Sequence, residues 1–180
     1  LELARRFDAM MQNVIVRHRT MHGGQKHLKF VPVASTGLGG KTIATPNGRR
    51  AGVALSEGIS PTQAPMERPI TTLNAVAAST AMPTTDDAAL LNIKLSPAFL
   101  EGERYSELIQ IIRTFVDLKL WHIQFNVVNR ETLLAAQKDP DKYRNLVVRV
   151  AGYCAYFTDL SEKLQTEIIN RTEHTSMCTE

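Results

Sequence analysis

Apolar positions Leu3, Phe7, Met10, Met11, Val14 and Ile15 recur at three- and four-residue steps between residue 1 and about residue 19. This spacing predicts a helix with one stripe packed inward. After His22-Gly23-Gly24, the run Phe30-Val31-Pro32-Val33 is short and β-rich and closes on Ser35, Thr36 and Gly37. It predicts a strand that begins or bends at its proline and enters a loop. Residues 34–69 hold six of the ten glycines and four of the eight prolines, with turns at Thr45-Pro46-Asn47-Gly48 and Ile59-Ser60-Pro61. So long an irregular stretch is expected to be functional or to be covered by further chain.

A helix is predicted over 71–79, a linker through Met82-Pro83-Thr84-Thr85, and a strand over 90–95. Ser96 offers an N-cap and Pro97 a first helical position for a helix reaching about residue 116, with Leu100, Leu108, Ile109, Ile112 and Phe115 as its buried face. Residues 121–128 alternate: His122, Gln124 and Asn126 share one face, and Trp121, Ile123, Phe125 and Val127 the other. Gln124 and Asn126 can line a substrate cavity or serve as internal hydrogen-bonding groups, and the pattern leaves both open. Asn129 caps a short helix over 131–137, and Asp139-Pro140 caps another that includes Tyr143. A short strand over 146–150 is followed by a helix opened by Thr158 and lined by Leu160, Leu164, Ile168 and Ile169. The tail from Thr172 is expected to fray, with Arg171 and Glu173 on an exposed helix end. Periodicity alone gives mixed α and β.

The chain has 180 residues, 43% apolar and 22% charged, enough for one globular unit or part of one. It begins Leu1-Glu2-Leu3 and enters an amphipathic pattern at once, which reads as a piece of a longer polypeptide. No stretch approaches the roughly 20 apolar residues of a membrane span, and no signal-peptide layout opens the chain, so a cytoplasmic protein without membrane attachment is expected. Cys154 and Cys178 form no CxxC pair and the histidines are scattered, so no metal site or disulfide framework is indicated. Cys154 reads as a small core residue. The net charge of +3 comes from interleaved bases and acids without a basic run, which argues against a nucleic-acid partner. Gly37-Leu38-Gly39-Gly40-Lys41-Thr42 lacks the first glycine of a phosphate loop, because Ser35 stands there, and reads as a plain loop. Asp86-Asp87 reads as a solvated loop or cap.

The segment 126–172 carries an ordered set of residues: Asn126-Val127-Val128-Asn129, Leu133-Leu134, Pro140-Asp141-Lys142-Tyr143, Val148-Arg149-Val150-Ala151-Gly152-Tyr153, then Ala155, Phe157, Leu160, Gln165, Ile168-Ile169 and Arg171-Thr172. This set closely resembles the glycyl radical domain shared by the pyruvate formate-lyase and the glycerol or diol dehydratase families. Val31-Pro32-Val33, the turn Ala44-Thr45-Pro46-Asn47-Gly48-Arg49, and Leu55-Ser56-Glu57-Gly58-Ile59-Ser60-Pro61 look like the stretch preceding that domain in dehydratase-type members. The family usually has Asp where Asn47 stands, and both residues form turns.

The resemblance implies an α/β fold: the C-terminal part of a glycyl radical enzyme α/β barrel, with the glycine loop inserted at the barrel centre. Residues 1–65 would end the barrel domain, and residues 66–180 would form the glycyl radical domain. It implies a dehydratase- or eliminase-type lyase that cleaves C–O, C–N or C–C bonds anaerobically, with the stored radical on Gly152 and no bound cofactor. The radical would be installed by a separate radical S-adenosylmethionine activating enzyme, which carries the iron–sulfur cluster and recognises Arg149, Val150 and Tyr153. It would pass to a cysteine thiol on an earlier loop, and no Gly-Cys-x-Glu-like segment occurs in this sequence. The implied partners are therefore the activating enzyme, the remainder of the enzyme with its thiyl cysteine, a small-molecule substrate and, at full length, a second copy in a homodimer. The alternative is a small stand-alone spare radical domain. Physical chemistry supports the same glycine, since an α-carbon radical must flatten to share its electron with the flanking amide and carbonyl, and only glycine lacks the Cβ that would clash. Val147, Val148, Val150, Tyr156 and Phe157 are expected to hold that loop in a dry interior.

Overall fold

The computed structural model describes residues 1–29, 35–60, 68–81 and 89–177. The expected strand at Phe30-Val31-Pro32-Val33, the linker from Met82, Asp86-Asp87, Pro61 and Cys178 lie outside the described residues.

Helix α1 (Glu2–Ile15) forms where the periodicity places it, but it faces the other way. Its buried residues are Asp8 and Gln12, while Leu3 and Phe7 are 77% and 58% exposed and Met10 and Val14 are exposed as well. The helix packs on α3 (Pro69–Ser79). Asp8 Oδ2 accepts from the backbone N–H of Ala81 at 2.6 Å, which draws the polar stripe inward. Residues 35–60 begin with a five-residue helix, α2 (Ser35–Gly39). The rest is organised by Arg49, buried and donating to the carbonyls of Ile43, Arg50 and Val53. One guanidinium gathering three carbonyls gives this stretch a defined shape without a ladder of backbone bonds. The turn at Asn47 forms, closed by Gly48 N–H on Thr45 O at 3.1 Å.

Strand β1 (Asn92–Leu95) pairs in parallel with β2 (Gln124–Val127), Asn92 opposite Gln124 and Lys94 opposite Asn126. Between them runs α4 (Tyr105–Asp117), the crossover a parallel pair requires. Gly58 seats the preceding segment against β1. At φ +60° its position admits no Cβ, which would overlap the Leu90 carbonyl, and Ile59 N–H bonds that same carbonyl at 2.8 Å. Ser96 and Pro97 start a turn of 3-10 helix, Pro97–Leu100, and not the long helix expected of them. Gly102, at φ +53°, breaks the chain before α4 begins. Leu108 and Phe115 pack inward as expected, with Ile111 between them, whereas Leu100, Ile109 and Ile112 are exposed.

Helix α5 (Arg130–Lys138) starts at Asn129, whose Oδ1 accepts from Thr132 N–H at 2.8 Å. A hairpin of β3 (Val147–Arg149) and β4 (Cys154–Tyr156) follows, then α6 (Glu162–Asn170). The tail does not fray at Thr172. Residues Glu173–His174 form β5, parallel to β1 on the edge away from β2, with His174 buried.

The sheet order is β2-β1-β5. Ile93 and Leu95 of β1, with Ile123 and Phe125, face a core shared with Leu73, Val76, Phe99 and Ile111. The alternate side chains, Asn92, Lys94, Gln124 and Asn126, are buried on the opposite face. There the hairpin and α6 lie, with a second core of Leu133, Val148, Val150, Phe157 and Ile168 beyond them. The α/β character thus stands. Among the described residues this sheet is open and has three strands, part of the roughly eight that a closed barrel takes. The glycine loop lies on the polar face of that open sheet.

Candidate functional site

The hairpin is the shortest kind. Val147, Val148 and Arg149 pair with Tyr156, Ala155 and Cys154, and Val150 N–H donates to Tyr153 O at 2.9 Å, leaving Ala151 and Gly152 as the turn. Gly152 has φ +77°, the value a type II turn needs at this position and one that L side chains rarely adopt. A Cβ there would meet nothing within 4 Å, so backbone conformation, and not space, selects glycine.

The dry shell expected around Gly152 is half present. Val148, Val150 and Phe157 are buried beneath the hairpin, whereas Val147, Tyr153, Tyr156 and Gly152 itself are exposed. Alternation explains this division: Val148 and Ala155 point into the second core, and their neighbours along each strand must point away. Cys154 is exposed for the same reason and is not the core residue expected. Its Sγ lies 3.3 Å from Arg149 Nη1.

The root of the hairpin is Arg149. Its backbone N–H donates to Asn126 Oδ1 at 2.7 Å, and its carbonyl accepts from Asn126 Nδ2 at 2.7 Å, so one carboxamide pairs with this residue as a neighbouring strand would. The carbonyl also accepts from Arg171 Nη1 at 3.2 Å. Arg149 Nε donates to Gln124 Oε1, which fixes the Gln124 amide so that its Nε2 faces His122 Nε2 at 3.0 Å. That contact requires an unprotonated His122 Nε2. Burial, and then the Arg149 charge, hold the His122 pKa below its ordinary value. Gln124 and Asn126 therefore spend their side chains on the hairpin root. One residue further on, Val150 O accepts from Asn92 Nδ2 at 3.5 Å.

Arg171 and Glu173, expected on an exposed helix end, are built into the same face. Arg171 pairs with Glu167 at 2.8 Å with both side chains nearly buried. Glu173 accepts from Arg130 N–H at 2.9 Å and lies 3.7 Å from Lys94 Nζ. Lys94 also donates to Ile169 O at 3.1 Å, and burial pushes its pKa down. Sequence reasoning missed Glu57, Asn92, Lys94 and Arg171 as members of the site. The available signal was Asn92 and Lys94 alternating with Ile93 and Leu95 inside an apolar run. The glycine-rich segment 37–42 contributes to a cavity of about 750 Å³ with residues of α6, and Glu167 and Arg171 line it as well. Among the described residues no three His, Cys, Asp or Glu side chains cluster to hold a metal ion, and no helix is long and apolar enough to cross a membrane.

A family profile described as "Glycine radical" matches residues 55–158. The chain is 48% identical over 179 residues to an isethionate sulfite-lyase of Nitratidesulfovibrio vulgaris, an alignment covering 97% of this chain and 22% of that protein. It is 48% identical over 146 residues to the probable dehydratase YbiW of Escherichia coli, covering 78% of this chain and 18% of that one. Among solved structures, one concerning 1,2-propanediol dehydration in Roseburia inulinivorans superposes with a TM-score of 0.87 at 39% identity, over 96% of this chain and 22% of its own. The glycerol-bound form of the B12-independent glycerol dehydratase from Clostridium butyricum gives 0.83 at 35%, with the same coverages. The chain thus spans about a fifth of the length of the curated relatives it matches.

Proposed function

Because the chain belongs to the glycine radical family, we propose that it is the radical-storing portion of a dehydratase- or eliminase-type radical lyase, with Gly152 as the storage site. The observation that carries this reading is the turn: a glycine at φ +77° on the exposed tip of a hairpin whose root is bonded on every side. Loss of one hydrogen atom from Gly152 Cα leaves a radical that must become planar, and glycine has no Cβ to oppose that change. Tyr153 stands exposed beside the tip in this chain, and a radical S-adenosylmethionine activating enzyme would recognise it together with Arg149 and Val150 once the loop is released from the barrel. The stored radical would then serve a cysteine thiol and a small-molecule substrate supplied by further chain, within a cytoplasmic homodimer. Residues 1–65 would form the end of a barrel domain, and 66–180 would form the glycyl radical domain. The names of the relatives, sulfite-lyase and dehydratases, support C–S or C–O elimination over pyruvate cleavage.

Anaerobic incubation with the activating enzyme and S-adenosylmethionine should give an electron paramagnetic resonance doublet that is absent in Gly152→Ala. A doublet surviving that substitution would falsify the assignment. Exposure of the activated chain to oxygen should cut it at Gly152, and an uncut chain after verified activation counts against the reading. The second reading, a non-catalytic spare domain, would be favoured if the activated chain restored turnover to a lyase whose own radical domain had been removed.

A further inference from the structure

Behind the hairpin, Glu57 and Asn92 meet in the interior, 1% and 9% exposed. Asn92 Nδ2 donates to Glu57 Oε2 and also reaches Val150 O, so its amide nitrogen bridges the carboxyl and the hairpin. The two remaining oxygens, Glu57 Oε1 and Asn92 Oδ1, are both buried, and among the described residues neither has a hydrogen-bond partner. Each is an acceptor, so neither can satisfy the other while the carboxyl is ionised. A single proton on Oε1 would make that oxygen a donor, the one kind of partner Asn92 Oδ1 lacks, while Oε2 keeps the bond from Nδ2.

We propose that Glu57 is carried as a neutral carboxylic acid and that, paired with Asn92, it is a positioning residue that seats the glycine hairpin through the Val150 carbonyl. The significance of that seat rests on the role assigned to the hairpin, whereas the acid–amide pair itself does not. The surroundings agree. Burial is the largest influence on Glu57 and pushes its pKa up, against the opposing hydrogen bonds of Asn92 and Ser60. Ser60 Oγ accepts from Asn92 N–H at 2.8 Å, which ties the segment to β1. Among the described residues the charges facing Glu57 are Arg171, which favours ionisation, and Glu167, which opposes it; at 2.8 Å from one another they offset much of each other's field. Between the ordinary carboxyl pKa and the raised one, the folded chain holds a proton that the opened chain has lost. The seat is therefore intact at low pH and weakens as pH rises through that window.

The test uses the whole chain without activation. With ¹³C-labelled glutamate carboxyls, one resonance should titrate well above the others and vanish in Glu57→Gln; if every glutamate titrates in the ordinary range, the neutral acid is ruled out. Hydrogen exchange at the Val150 amide, corrected for its intrinsic pH dependence, should lose protection by up to about tenfold per pH unit across the Glu57 titration. Glu57→Gln supplies both a donor and an acceptor without a titrating proton and should make that protection flat. A raised Glu57 titration with flat exchange in the wild-type chain, or a glutamine variant as pH-sensitive as the parent, would overturn the seating role. If the variant does not fold, the wild-type carboxyl titration together with wild-type Val150 exchange decides. Neither readout needs a radical, so failure here is separable from failure of the radical assignment.

Discussion

Helix α1 and strand β2 both turn their polar residues inward, with opposite consequences. In α1 the buried pair is Asp8 and Gln12, joined to each other at 3.4 Å and to the rest of the chain through the Ala81 amide. An apolar stripe looks outward. In β2 the buried pair is Gln124 and Asn126, and both close onto Arg149 across some twenty-five residues of sequence. A buried polar face costs little when each atom has a partner and a good deal when one is removed. The first region is held at a point, and the second is held as a lattice.

This contrast can be broken by measurement. Asn126→Ala should have the largest effect, about 2–4 kcal/mol of stability, because one truncation strips partners from both the N–H and the C=O of Arg149. Urea unfolding would report it, and an effect under about 1 kcal/mol would show that the root is less tightly held than its bonds indicate. Asp8→Ala should cost about 1–2 kcal/mol through the Ala81 amide, with the loss concentrated in exchange of the α1 and α3 amides. His122 supplies a smaller, pH-dependent effect. Its folded pKa is depressed, so the unfolded chain binds the proton more readily, and stability should fall as pH drops below about 6.5. Thermal unfolding at two pH values should show this loss reduced in His122→Gln. Smallest of all, Phe7→Ser should leave stability within about 0.5 kcal/mol of the parent, since that side chain is already exposed. A large loss there would mean that the outward stripe is covered in solution, and the contrast would fail.

Much of the local structure was legible. The Asn129 cap, the turn at Asn47 and Gly48, and the glycine turn at Gly152 are each set by a few adjacent residues whose backbone preferences leave little choice. Facing was less legible. A three-four spacing states which residues share a side of α1, but one contact from Asp8 to Ala81 decides which side turns in. Ser96-Pro97 was read as the start of α4, because a cap followed by a proline looks the same before a short 3-10 turn as before a long helix, and Gly102 makes the difference. Strand β5 is two residues long and owes its place to pairing with β1, far away in sequence. Arg171 and Glu173 looked solvated for the same reason. Around the candidate site, the turn at Gly152 was legible from its neighbours, whereas Asn92 and Lys94 joined only once the sheet turned them to one face, and Glu57 only through its contact with Asn92.

The hairpin can also be viewed as a mechanical part. It is clamped at Arg149 and free at Gly152, with the four residues from Val150 to Tyr153 overhanging the last pair of the ladder. In such a cantilever, a load applied at the tip produces its greatest bending moment at the clamp. A load on Gly152 is therefore carried back to the Asn92 amide at the Val150 carbonyl, and then to the carboxamide of Asn126 and the guanidinium of Arg171.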